Sequence, residues 1–241
     1  MKHIVIHKAE TRGHANLGWL NSFHSFSFSS YYNPNNIHFG ALRVLNDDTI
    51  APGMGFGRHP HNNMEIISIP LEGSMVHKDS MNNVQVIKSG DIQAMSAGTG
   101  IEHSEYNASK TESIKFLQIW IIPNQLDVKP RYDQITLQKN RKVNVFHQII
   151  SPNKNDEGIW IHQNAWFHLG TFDVNKTIQH QLKDHSNGIY AFIIHGKVNI
   201  NGAELNNRDG IGLWNIEKMT IDILEQNTKI LIMEVPMIEL S

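Results

Sequence analysis

Two histidines two residues apart, His59 and His61, stand inside the run Gly53-Met-Gly-Phe-Gly-Arg-His-Pro-His-Asn-Asn-Met-Glu65. A second pair with the same spacing, His103 and Glu105, closes the run Gly98-Thr-Gly-Ile-Glu-His-Ser-Glu105. On an extended strand, a spacing of two turns both side chains to one face, so each pair can grip an ion from one wall of a barrel. Three imidazoles and a carboxylate suit a divalent first-row metal, with positions left for water, substrate or dioxygen if the ion takes five or six ligands. Such a sphere suits Fe(II) and also accepts Mn, Co, Ni, Cu or Zn, and the donor set alone does not choose among them. The chain has 15 histidines and no cysteine. Imidazole is therefore the ligand in surplus, while a thiol nucleophile, a disulfide scaffold, a Cys-type zinc site and iron–sulfur ligation are all excluded.

Other chemistries find no support. Lys and Arg total 21 against 23 Asp and Glu, a net charge of −2 with histidine neutral, which lacks the basic surplus of a nucleic-acid binder. No apolar run approaches the roughly 20 residues of a membrane helix, and the apolar stretch at the N-terminus is too short for a signal peptide. A cytoplasmic protein is expected. The run Gly53-x-Gly55-x-Gly57 is not a dinucleotide fingerprint, because Arg58 and Pro60 stand where the third glycine belongs and no βαβ pattern surrounds it. No Walker loop, Gly-x-Ser-x-Gly elbow or His-Glu-x-x-His helix is present.

The elements that must position the two pairs read as strands. Short β-branched and aromatic runs recur, bounded by Gly, Asn, Asp or Pro: Ile37–Leu45, Glu65–Leu71, Val84–Ile87, Ile114–Ile122, Trp166–Phe172, Ile189–Ile194, Met219–Leu224 and Lys229–Val235. This pattern predicts an all-β sandwich or barrel. Phe23, Phe26 and Phe28 alternate as one strand face and are expected in the core. Ile67–Gly73 with the strands after it resembles Ala191–Gly196 with its own following strands, so two similar units are expected. At the offsets from Gly196 that His59 and His61 hold from Gly73, the second copy carries Leu182 and Asp184, and its His180 and His185 are out of register. The second unit is therefore expected to be metal-free and mainly structural.

Gly53-x5-His59-x-His61-x3-Glu65 followed by Gly90-x5-Ser96-x-Gly98-x4-His103-x-Glu105 resembles the two cupin motifs in the variant used by the pirin family. The resemblance extends through Arg12-Gly13-His14, Gly18-Trp19, Phe23–Phe28 and Ala41–Val44 to Gln118-Ile119-Trp120. Met95–Asn107 is similar to the bacterial pirin-like quercetin 2,3-dioxygenases. The resemblance implies a bicupin, two cupin-like β-barrel or sandwich domains in one chain, with residues 1–130 holding the metal and 131–241 without one. It implies one metal, usually iron, held by His59, His61, His103 and Glu105. The implied activity is dioxygen-dependent opening of a flavonol ring with release of carbon monoxide, with Glu105 as both ligand and base. The implied partners are a flavonol-like small molecule and O2, with no nucleic acid or membrane, and a monomer is expected because a duplicated domain supplies its own internal partner. A second reading follows from the same resemblance: some pirins are regulatory proteins whose iron acts as a redox-responsive switch for protein partners. Glu65 fills the acidic position of the first motif but is expected to support the site rather than bind the ion. The other histidines, His3, His7, His14, His24, His38, His77, His147, His162, His168, His180, His185 and His195, lack such spacing and are expected at the surface or in hydrogen bonds.

Overall fold

In the computed structural model, residues 3–137 and 141–238 are described, and they form an all-β bicupin. Four sheets make two barrels. In the first, a seven-stranded sheet runs Arg131–Thr136, Asp91–Ser96, Glu65–Glu72, Ile114–Ile121, Leu42–Ile50, Leu20–His24, Gly13–Asn16. A four-stranded sheet of Gly55–His61, Ile101–Asn107, Ser74–Asp79 and Val84–Lys88 completes it. The second barrel repeats the arrangement. Its seven-stranded sheet has Asn187–His195 at the centre between Gly210–Trp214 and Thr228–Pro236, as Glu65–Glu72 lies between Asp91–Ser96 and Ile114–Ile121 in the first. The similarity between the segments ending at Gly73 and Gly196 is thus a similarity of central strands. No helix among the described residues is long and apolar enough to cross a membrane.

The two large sheets pack against each other through a continuous apolar core. Leu42, Leu45, Ile67 and Ile119 from the first meet Phe167, Tyr190, Leu231 and Met233 from the second. Removing this surface from water is the main force joining the barrels. Two strands also cross between them. His3–His7 adds to the second sheet beside Gly210–Trp214, and Arg131–Thr136 adds to the first beside Asp91–Ser96. Each becomes the terminal strand of the sheet it joins and pairs the backbone of the strand next to it.

Most of the expected strands form within a residue or two of their predicted ends. The exception is Ile37–Leu45, where the strand begins only at Leu42. Gly40 interrupts it with a φ of 51°, and a Cβ there would come within 2.2 Å of the Pro236 carbonyl oxygen, so a tight turn replaces the extended run. The phenylalanine face is likewise shorter than expected: the strand ends at His24, Phe26 is fully buried, and Phe28 lies past the strand against Trp120.

The interiors of the two barrels differ in kind. The second is packed mainly by apolar side chains, including Ile189, Ile193, Val198, Leu205, Met219, Ile221 and Ile230, with one buried polar pair, His168 and His180. The first keeps two small apolar clusters, one around Leu20, Ile50, Met75, Ile87, Ile114 and Phe116 and one of Ile66, Met95, Ala97 and Ile101. Much of its remaining inner surface is buried and polar: Ser22, His24, Asn46, Asp48, Ser68, His77, His103, Glu105 and Gln118. Burying so many polar groups is costly unless they are paired.

Candidate metal centre

His59 and His61 lie on Gly55–His61, and His103 and Glu105 on the adjacent strand Ile101–Asn107. The register sets His103 opposite His59 and Ile101 opposite His61, then slips by one residue before Glu105. A slip of this kind re-aims the side chains beyond it. The three imidazoles converge, with ring centroids 4.4 Å apart for His59 and His103, and 4.8 Å for the two pairs involving His61. Each offers a nitrogen within 4.8 Å of the others.

The hydrogen bonds leave these nitrogens free for an ion. His59 Nδ1 donates to the Gly57 carbonyl at 2.7 Å, leaving Nε2 as the lone-pair nitrogen. His61 Nε2 and both ring nitrogens of His103 are buried without a hydrogen-bond partner. Buried polar atoms are ordinarily paired, so three converging imidazoles with unpaired nitrogens fit a metal. Burial, reinforced by the neighbouring His59, lowers His61 to about 4; burial and the surrounding histidines also lower His103. All the imidazoles so affected are neutral at pH 7, the form that binds metals.

Glu105 is fully buried beside this cluster, and burial raises its carboxyl to about 7, a rise to which nearby Asp48 contributes. Gln118 Nε2 donates to Glu105 Oε2 at 3.0 Å, Ser68 Oγ donates to Gln118 Oε1 at 2.6 Å, and Ser68 Oγ lies 3.3 Å from Glu105 Oε1. A hydroxyl has one proton to give. With that proton on Gln118, a protonated Glu105 completes the ring by donating to Ser68. The carboxyl therefore has a built place to hold a proton.

Of the four residues expected as ligands, the structure groups His59, His61 and His103, and it groups His103 and Glu105 separately with His77. His77 is absent from the sequence expectation as a site residue. It lies directly opposite Glu105 in the strand register, fully buried, with its ring 5.3 Å from that of His103 and its Nε2 3.2 Å from Asp79 Oδ2. Only cross-strand pairing could have found it. Glu65 accepts hydrogen bonds from Ser96 Oγ at 2.8 Å and from His162 Nδ1 at 3.0 Å, the latter from the second barrel. In the second barrel, His180 faces His168 with ring centroids 4.8 Å apart, a pairing with no sequence signature.

A cavity of about 340 Å³ adjoins the cluster, reaching His59, His61 and Glu105 at one side. Trp19, Leu20, Phe28, Phe56 and Trp120 supply apolar walls, and Ser22, His24, Asn46 and Asp48 a polar stretch. Its size and mixed lining suit a small aromatic molecule.

Two predictions concern the scaffold. A Cβ at Gly55 would lie 2.2 Å from the Glu105 carbonyl oxygen and 2.5 Å from Tyr106 Cα, so Gly55→Ala must push apart the two strands carrying the site. We expect a stability loss of about 1–3 kcal/mol, read by denaturant unfolding, together with weaker metal retention in dialysis. The second concerns Asp48, whose carboxyl burial raises to about 7 from an ordinary 3.8. The folded state then holds a proton that the unfolded chain has lost, so this residue's contribution to stability falls as pH rises from about 4 to about 7. In chelated protein, Asp48→Asn lacks that loss, and its melting temperature relative to the parent should rise across that window. A constant difference would contradict the assignment.

Comparisons with known proteins agree with this architecture. The Pirin family model matches residues 5–121, and the model described as the quercetinase C-terminal cupin domain matches residues 148–235. A protein of Escherichia coli K12 named quercetin 2,3-dioxygenase is 40% identical over 233 residues, covering 97% of this chain and 99% of that one. A pirin-like protein of Caulobacter vibrioides is 38% identical, covering 91% of this chain and 94% of its own length. The crystal structure of the bacterial pirin YhhW from Escherichia coli in complex with nickel(II) superposes with a TM-score of 0.92 at 38% identity, over 98% of this chain and 100% of that one.

Proposed function

The chain belongs to the pirin family, and from that premise we propose that it is a metal-dependent dioxygenase opening the ring of a flavonol such as quercetin with O2 and releasing carbon monoxide. The observation that carries this reading is the convergence of three imidazoles, those of His61 and His103 with buried unpaired nitrogens, beside a buried, proton-holding carboxyl at one side of an aromatic-walled cavity. The names of the relatives support the reaction class, and the nickel(II) complex of YhhW supports a divalent ion.

His59, His61, His103 and Glu105 would hold the ion, with Fe(II) as the proposed metal and Mn, Co, Ni, Cu or Zn as alternatives. When bound, the metal supplies a Lewis acid that acidifies a flavonol hydroxyl and brings the electron-rich ring together with dioxygen. Glu105 accepts the hydroxyl proton, and the Ser68–Gln118 ring keeps its carboxyl oriented while it does so. Trp19, Phe28, Phe56 and Trp120 shield the reacting ring from water and take its planar faces.

The test is oxygen uptake with quercetin by protein separately loaded with Fe, Ni, Co and Mn under anaerobic conditions. Uptake coupled to flavonol loss in at least one form is expected. No uptake in any of the four overturns the proposal.

A further inference from the structure

The seven-stranded sheet of the first barrel carries a row of polar side chains across four strands. His24 is paired with Asn46, Asn46 with Gln118, and Gln118 with Ser68 in the strand registers. In the next row, Ser22 is paired with Asp48. Residues directly opposite in antiparallel strands sit roughly 4.5–5.5 Å apart, so this is a continuous polar floor. All six side chains are buried.

The two ends of the floor differ in how their hydrogen bonds are used. Ser68 and Gln118 are committed to Glu105. At the other end, Ser22 donates to Asp48 and pairs with His24 Nε2 at 2.8 Å, but Asn46 Oδ1 is buried with no partner. One row along the same sheet face, Trp120, two residues beyond Gln118 and also lining the cavity, has its Nε1 buried and unpartnered. An unpaired acceptor and an unpaired indole donor in one apolar-walled cavity are expensive to keep. In the corresponding row of the second barrel, Ile232 and Ala191 replace Gln118 and Ser68, and buried His168 stands where Asn46 does, facing His180.

We infer that Asn46, with Asp48 beside it and Trp120 one row along the same sheet face, is a hydroxyl-reading surface that selects a planar aromatic substrate bearing ring hydroxyls beyond the one engaged at the metal centre. The inference rests on the proposed dioxygenase reading and extends it to substrate class: a polyhydroxylated flavonoid in preference to the bare flavonol skeleton. A site built to bond a substrate hydroxyl rejects an analogue lacking it because its own buried polar groups are then left unpaired. Asn46 acts on binding and orientation, with no part in proton transfer.

The experiment compares kcat/KM for quercetin and for 3-hydroxyflavone, which retains the metal-binding hydroxyl and lacks the others, in metal-loaded wild type, Asn46→Leu and Asn46→Ala. The ratio favouring quercetin should fall at least about tenfold in either variant, chiefly through KM for quercetin. Asn46→Leu should melt no lower than wild type, since it removes an unpaired buried amide; Asn46→Ala provides the reading should leucine not be accommodated. A ratio within twofold of wild type in the folded variants overturns the inference, as does an equal loss on both substrates, which a merely structural role would give. Should wild type turn over neither substrate, the dioxygenase reading fails by itself, and the same ratio is then taken from dissociation constants measured by quenching of tryptophan fluorescence. A tenfold weakening confined to quercetin in those constants sustains the hydroxyl-reading surface, and its absence overturns it.

Discussion

His103→Ala is expected to empty the metal centre. Its ring meets both His59 and His61, both of its nitrogens are buried without partners, and no other described residue stands in its place on the strand Ile101–Asn107. Loss of a group that merely orients a ligand costs about 10–100-fold in metal affinity or activity, so loss of a ligand itself should exceed about 100-fold. Metal per chain after anaerobic loading and desalting should drop from near one to below about a tenth, with turnover falling in parallel. The buried hydrophobic cores do not include His103, so the variant should still fold, and retained cooperative unfolding would separate metal loss from collapse. A folded His103→Ala that keeps a full complement of metal would remove His103 from the ligand set.

Glu105→Gln should separate chemistry from binding. The amide has the shape of the carboxyl and can still accept from Gln118 Nε2, where the carboxylate now accepts at 3.0 Å, but it cannot take up the hydroxyl proton. General-base catalysis is worth about 10²–10⁴-fold, and kcat with quercetin should fall by that order. Three imidazoles remain, so metal occupancy should decline less than in His103→Ala. Steady-state kinetics beside metal analysis reads both quantities. Full turnover with metal retained would leave Glu105 without a role as base.

These two variants also mark what was legible in the amino-acid sequence. His59 with His61, and His103 with Glu105, are visible because a spacing of two is the period of a strand, so neighbours in sequence share a face. The all-β bicupin is legible for a related reason: its strands are short, bounded by turn residues and repeated. What escapes notice depends on register between strands far apart in the chain. His77 reaches the cluster only because Ser74–Asp79 pairs with Ile101–Asn107. Asn46 and His24 meet only across the pairing of Leu20–His24 with Leu42–Ile50. Glu65 finds His162 across 97 residues, and His3–His7 joins a strand some 200 residues later, with no local pattern to announce either. Alternation with Phe26 predicts a core position for Phe28, yet it follows the end of the strand and turns to the cavity, where alternation no longer applies.

We propose that this cavity cleaves a flavonol with dioxygen. The most direct test is the stoichiometry of the metal-loaded protein acting on quercetin in a closed vessel, with dissolved oxygen, carbon monoxide and remaining flavonol measured together. Equal amounts of oxygen consumed, carbon monoxide released and quercetin lost are expected, with all three signals absent in His103→Ala. Quercetin loss accompanied by hydrogen peroxide and no carbon monoxide, or proceeding equally in His103→Ala, would contradict it.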